Sequence, residues 1–295
     1  MKILITGGTG LIGSMLCAQL NAHSLFVLTR NTDNKLFSDS NHITPISHIE
    51  DVDFNDIDAV INLAGEPIAE KRWNEQQKQL IVQSRLGITE SLVSKINNCV
   101  NPPSVFISGS AIGYYGRQSP NLLIDESFEE AFIEFSHELC SMWENEALKT
   151  NQNTRVCILR TGIVLSKDGG ALKKLLPSFK LGIGSVVADG QQLMSWIHIQ
   201  DMVKGIIFLL ENSTSNGIFN MTAPNAVNNH EFSKTLAAQL QRPCLLSMPA
   251  WVMKLLFGEM ADLLIYGQGV YPKRLLCAGF NFDYPTLDKA LNDLL

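Results

Sequence analysis

A parallel α/β sheet wound on both faces by helices, with a smaller, mainly helical C-terminal lobe, is the fold class predicted for this 295-residue chain. Three observations predict it. The chain opens on an apolar run, Lys2-Ile3-Leu4-Ile5-Thr6, that ends in Gly7, Gly10 and Gly13 and passes at once into a helical pattern of Leu11, Ile12, Met15, Leu16 and Leu20. Further apolar runs then alternate with helical segments, the sequence signature of parallel strands joined by crossovers. After Leu165 the character changes, and glycines at 169, 170, 182, 184 and 190 punctuate the chain.

The first stretch reads as strand, tight turn and helix N-terminus. Gly7, Thr9, Gly10, Leu11, Ile12 and Gly13 form the turn and the helix start. Glycines there accept positive φ and let backbone amides approach a diphosphate, whose charge the helix dipole favours. The fold is therefore read as Rossmann-like, with a dinucleotide site at this turn. Leu25 to Thr29 is the second strand, ending at Arg30. A dinucleotide site commonly places an acid here to bind the adenosine 2′-hydroxyl, whereas Arg suits a 2′-phosphate, so NADP is favoured over NAD. Asp33, about 20 residues past the last glycine, is the alternative acid.

Asn31 to Asp56 reads as an irregular connection with one short strand near Ile43 to Ile46. Ala59 to Asn62 continues into Leu63, Ala64 and Gly65, small residues that leave space for a ligand at a strand's carboxyl end. Asn74 to Ile96 and Asp125 to Ala147 read as crossover helices, and Val105 to Ser110 and Arg155 to Arg160 as strands. Met194 to Ile199 reads as extended, followed by a helix over Met202 to Leu210 capped by Asp201. Gly217 to Met221 is a further strand, and Asn229 to Leu295 is mostly helical. Residues 1–165 with 200–222 are thus expected to form the nucleotide-binding domain. Residues 166–199 and 223–295 form a lobe covering it, with a substrate cleft between.

Lys and Arg number 23 against 29 Asp and Glu, a net charge of −6, and no segment clusters them as a nucleic-acid surface needs. The six cysteines show no CxxC and no metal-ligand spacing, so they are read as reduced thiols with no metal. No apolar run approaches the ~18 residues of a membrane span, and the opening strand leaves no room for a signal peptide. A cytoplasmic protein acting on a small molecule, as monomer or homodimer, is expected.

Thr6-Gly7-Gly8-Thr9-Gly10-Leu11-Ile12-Gly13 resembles the TGxxGxxG form of extended short-chain dehydrogenase/reductases. Asn62-Leu63-Ala64-Gly65-Glu66, Lys71-Arg72-Trp73, Ser84-Arg85, Ser110 to Gly116, Gly190-Gln191-Gln192, Ser195 to Ile199, Pro272 to Leu275 and Ala278-Gly279-Phe280 look like one branch of it. That branch is the YfcH-type epimerase-like family, within the NAD-dependent epimerase/dehydratase proteins, with its own C-terminal domain. The resemblance implies NADP binding by the glycine turn, Thr29, Arg30, Leu63, Ala64 and Arg85, with Ile163 along the nicotinamide half.

In the wider superfamily a Tyr exchanges the hydroxyl proton, a Lys four residues on lowers its pKa, and a Ser orients the substrate oxygen. Ser110 matches the Ser. Glu144 matches a Glu four residues past the Lys, which puts Ser136 and Cys140 where the Tyr and Lys would stand, and no other YxxxK occurs between residues 110 and 160. Tyr114 and Tyr115 are the nearest phenols. Tyr115 is expected at the reaction centre, beside the nicotinamide or as a substitute proton carrier, while His198 is a weaker candidate base. The implied function is an NADP-binding oxidoreductase or epimerase acting on a small molecule such as a nucleotide sugar. The alternative is a non-catalytic NADP-binding regulatory or redox-sensing protein, some relatives carrying a cell-division label.

Overall fold

A computed structural model describes residues 1–34, 37 and 40–295. Residues 35, 36, 38 and 39, within the connection expected to be irregular, lie outside the described residues. Seven strands form one sheet: β1 (Lys2–Thr6), β2 (Ser24–Leu28), β3 (Ile43–Ile46), β4 (Ala59–Asn62), β5 (Val105–Ala111), β6 (Arg155–Thr161) and β7 (Gly217–Met221). Their order is β7-β6-β5-β4-β1-β2-β3, and every neighbouring pair is parallel. The fold is a Rossmann-like doubly wound sheet.

Side-chain parity explains both coats. Ile3, Ile5, Val27, Ile61 and Ile107 turn one way and pack on α1 (Leu11–Gln19) and on Met202, Val203 and Ile206. Leu4, Val60, Phe106 and Ile158 turn the other way, onto Leu92, Val93 and Ile96 of α2 (Glu75–Asn97) and Ala147 of α3 (Phe135–Ala147). A strand buried on both faces reads as a continuous apolar run, which is why these strands were legible.

Asn74 caps α2, its Oδ1 accepting from the Gln77 amide at 2.7 Å. The expected helix over Asp125 to Ala147 shrinks to α3. Its first ten residues are held off helical geometry by a local turn, the Ser127 amide on Asp125 (2.8 Å), and by tertiary partners, Lys273 Nζ on Asp125 (2.7 Å) and the Asn220 amide on Glu126 (3.0 Å).

The second lobe is built from α4 (Gly170–Lys180), α6 (Asn229–Gln239), α7 (Ala250–Phe257) and α8 (Leu287–Leu294). Residues 185–187 and 246–248 pair in parallel within it. Leu172, Phe179, Trp196, Phe232, Leu236 and Leu291 form its core, against which Leu11, Ile12 and Met15 of α1 also pack. Between these helices α5 (Ile199–Glu211) returns to the sheet. It starts three residues earlier than the spacing suggested, with the His198 ring, not Asp201, capping it: Nδ1 accepts from the Gln200 amide at 3.1 Å. Asp201 instead accepts from the backbone amides of Asp283 and Tyr284 at 2.8 and 2.9 Å, tying the C-terminal segment to α5.

The outer edge of β7 is occupied by side chains. Arg274 donates to the carbonyls of Ile218 and Asn216 at 2.9 and 2.6 Å, and Glu126 accepts from the Asn220 amide. Among the described residues no helix is long and apolar enough to cross a membrane.

Candidate functional site

The strand order reverses between β1 and β4, and in an open parallel sheet the crevice at that point is where ligands bind. The glycine turn lies there. Gly7 has φ of +70°, and a Cβ on it would stand 2.5 Å from the Leu63 carbonyl oxygen and 2.9 Å from the Ala64 nitrogen. A Cβ on Gly13 would stand 2.2 Å from the Gly7 oxygen. The end of β4 therefore lies directly against the turn, and only glycines permit it. A buried polar chain fixes the arrangement. Thr6 Oγ1 donates to Asn62 Oδ1 at 2.6 Å and accepts from the Ala64 amide, and Asn62 Nδ2 and Trp143 Nε1 both donate to Thr89 Oγ1.

The start of α1 is bare. Gly10 is its N-cap, no side chain caps it, and the Gly10 amide closes the turn on the Gly7 carbonyl at 3.0 Å. Thr9 and Gly10 are exposed. First-turn amides such as those of Leu11 and Ile12 have no partner within a helix, so with the dipole they make a receptor for an anion.

Thr29 and exposed Arg30 stand at the carboxyl end of β2, on the same rim, where the Thr29 hydroxyl is folded onto the backbone of Asn31. Gly65 is glycine for a packing reason: a Cβ would reach 2.8 Å from the Arg85 guanidinium carbon. Arg85 donates to the carbonyls of Glu66 and Ile81 at 3.0 and 3.1 Å and lies 5.3 Å over the Trp143 ring. Ile163 opens a short strand beside Trp196, its amide donating to the Ser195 carbonyl at 2.8 Å.

At the carboxyl end of β5 a charged cluster is sealed inside. Ser110 Oγ donates to Glu144 Oε1 at 2.6 Å, and Arg160 grips the same carboxylate with Nε and Nη2 at 2.9 and 2.8 Å. Glu144 and Arg160 are only 3% and 2% exposed. Burial opposes the charge on Arg160, yet its two hydrogen bonds to Glu144 hold it above the ordinary guanidinium range. Its guanidinium lies 3.3 Å from the centre of the Tyr114 ring and 4.9 Å from that of Tyr115. Sequence reasoning used Glu144 only as a register mark and overlooked Arg160 and Asn220. An Arg at the carboxyl end of an apolar strand was the signal available.

Tyr115 is fully buried, and its hydroxyl donates to Asn220 Oδ1 at 2.8 Å. Tyr114, half-buried, is the more exposed of the two phenols. Cys140 is buried, and desolvation pushes its thiol up to about 11, so nothing cationic stands at the Lys position. A Cβ on Gly113 would lie 3.1 Å from Ser136 Cβ, which shows that the 112–115 turn presses onto α3 at that point.

His198 is buried too, stacked 3.7 Å from the Tyr284 ring, with Nε2 3.3 Å from Asp293 Oδ2 but not aligned for a hydrogen bond. Burial lowers its pKa from the ordinary 6.5, outweighing Asp293. The unfolded chain then binds the proton more readily than the folded one. The contribution to stability is whole above about pH 6.5 and is lost as pH falls toward the lowered folded value. Thermal midpoints measured from pH 8 to pH 5 are expected to show this decline, and His198→Asn, which keeps a helix cap, to flatten it.

A seven-stranded parallel sheet with a bare-amide cradle at its switch point defines a Rossmann-like protein built for a dinucleotide. The chain belongs to the NAD dependent epimerase/dehydratase family, whose model matches residues 3–222, and a domain of unknown function (DUF1731) matches residues 248–294. It is 36% identical over 305 residues to the epimerase family protein SDR39U1 homolog, chloroplastic, of Arabidopsis thaliana, with 100% of this chain and 87% of that one covered. It is 33% identical over 302 residues to the epimerase family protein SDR39U1 of Mus musculus, with both chains covered in full. The crystal structure of human epimerase family protein SDR39U1 (isoform2) with NADPH superposes with a TM-score of 0.92 at 32% identity, covering 100% of this chain and 99% of that one.

Proposed function

We propose that the chain is an NADP-dependent oxidoreductase or epimerase acting on a small molecule. The observation that carries this reading is the cradle: a helix start at α1 that no side chain caps, with the end of β4 pressed onto Gly7. The crystal structure of the human relative with NADPH supports it. In this reading the cofactor's diphosphate rests on the amides of Leu11 and Ile12 beside the glycine turn, Arg30 with Thr29 faces the 2′-phosphate, and Leu63, Ala64 and Gly65 underlie the sugar. Arg85 supports Gly65 from below, and Ile163 lines the nicotinamide end. Residues 1–165 with 200–222 form the cofactor domain, and the remainder covers the substrate.

When bound, NADP supplies a carrier for hydride; the chain's own residues handle position and protons. Because Ser110 gives its proton to Glu144, its oxygen is left as an acceptor and orients a substrate by accepting from a hydroxyl. Tyr114, lying on the Arg160 guanidinium that also anchors Glu144, takes the proton-carrying role that Ser136 and Cys140 cannot fill.

Titration of the purified chain with NADPH and NADH, followed by nucleotide fluorescence, tests the reading. Micromolar NADPH affinity is expected, and no uptake of either nucleotide at millimolar supply would overturn it. Arg30→Asp is expected to weaken NADPH roughly thirtyfold, as for one charged hydrogen bond at an exposed site, while NADH changes little. Equal losses for both nucleotides would show that Arg30 does not touch the 2′-phosphate.

A further inference from the structure

Burial should claim most of an apolar helix, yet of α7 only Met253 is buried. Trp251 and Leu255, one helical turn apart, are 69% and 68% exposed, and Leu256 beside them is exposed as well. Side-chain contacts carry this face onward. Lys254, in the same turn, lies 6.0 Å from the centre of the Tyr266 ring. Arg117 lies 4.8 Å from that ring and 4.1 Å from the centre of the Phe132 ring, and Ile133 follows at 73% exposure. The apolar residues of this strip together offer roughly 700 Å² to water, beyond the ~300–600 Å² that a monomer ordinarily leaves as its largest patch. Trp, Tyr, Phe and Arg are also the residues that interfaces concentrate at their centres.

A cavity of about 390 Å³ opens on the same face. Tyr266 itself lines it, with Pro249 and Ala250, which immediately precede Trp251, and with Asp189. Backbone bonds fix its walls: the Gln118 amide donates to the Gly267 carbonyl at 3.0 Å, and the Ala188 amide to the Met248 carbonyl at 2.9 Å. A preformed hole of this size admits an indole ring, whereas Trp251 of the same chain projects beside it and does not line it. A knob and a hole set side by side on one surface cannot fill each other. Two copies related by a two-fold axis fill both at once, because such a contact presents the same patch twice.

We infer that this strip is the interface of a homodimer, in which Trp251 of each copy enters the cavity bounded by Ala250 and Tyr266 of the other. Lys254, one turn from Trp251, then comes to the rim where exposed Asp189 stands, opposite in charge. Strip and cavity mouth together reach the ~800 Å² that each partner contributes to a stable interface. A bilayer surface would cover the exposed helix but leave the cavity unfilled, so a second copy is the better occupant.

Sedimentation equilibrium of the full chain, from micromolar to near-millimolar concentration, tests this. A dimer dissociating in the micromolar range or below is expected. Trp251→Ala removes the knob and Ala250→Trp fills the hole from its own side, and each is expected to weaken the dimer at least about thirtyfold. Mixed together, the two variants form a pair in which one intact knob meets one intact hole, so dimers are expected to return. Thermal unfolding checks that each variant folds. Should Ala250→Trp not fold, Asp189→Lys replaces it: set against Lys254 of the other copy, it is expected to weaken the dimer at least about tenfold. A monomer throughout the range, a dimer indifferent to Trp251→Ala or to Asp189→Lys, or two weakened variants that stay apart on mixing would overturn the inference. So would an unmodified chain that stays monomeric and floats with phosphatidylglycerol vesicles, which would give the strip to a membrane.

Discussion

Replacing Arg160 with Leu is expected to lower the free energy of unfolding by about 3–5 kcal/mol, the cost of leaving a buried carboxylate without its partner. Glu144 would keep only the Ser110 hydroxyl as donor, at 3% exposure and with no route to water. The loss is not the worth of the pair. In Glu144→Leu with Arg160→Leu both charges go, and most of the stability is expected to return, because two apolar side chains of similar size can fill the same space. Urea unfolding of the single and double variants gives the comparison. Equal stability of Arg160→Leu and the unmodified protein would mean that the pair is solvated in solution. The double variant carries a second readout: with Glu144 gone, Ser110 regains a proton to donate, so any ligand preference for hydroxyl donors at that point should weaken even where the fold survives.

The other large effect is expected from Gly13→Ala. A Cβ there would stand 2.2 Å from the Gly7 oxygen and 2.7 Å from Gly8 Cα, both backbone atoms that no rotamer change can move. The turn must open, which separates Gly7 from Leu63 and spreads the amides at the start of α1. NADPH affinity is expected to fall at least hundredfold, or about 2.7 kcal/mol. Stability is expected to fall by roughly 1–3 kcal/mol, as for overpacking elsewhere. Fluorescence titration and thermal unfolding separate the two. Retained affinity in a destabilised variant would place the phosphates away from this turn.

What could be read from the residues alone follows a physical division. The sheet and its glycine turn were legible because their signals are local: strands buried on both faces are continuous apolar runs, and a tight turn between strand and helix needs glycines at set spacings. The start of α3 was not, because Asp125 and Glu126 find partners about 95 to 150 residues away in sequence, and those bonds override the local helical pattern. Asp201 illustrates the same limit. As an acid at a helix start it suits a cap, yet its carboxylate serves Asp283 and Tyr284 while a histidine does the capping. The Ser110, Glu144 and Arg160 cluster joins a strand end, a helix and a second strand, so only Ser110, which sits in a recognisable turn, could be nominated beforehand.

The occupied rim of β7 has a consequence for the life of the chain before it is complete. Arg274 stands near the C-terminus and Glu126 in mid-chain, so during synthesis β7 emerges more than fifty residues before the guanidinium that shields its carbonyls. Until then the strand is an open template, and intermolecular pairing between nascent or truncated copies is the characteristic hazard of such a surface. Chains ending before residue 274 are therefore expected to polymerise edge to edge even though every strand of the sheet is present, and the last segment acts as an insulator as much as a lid.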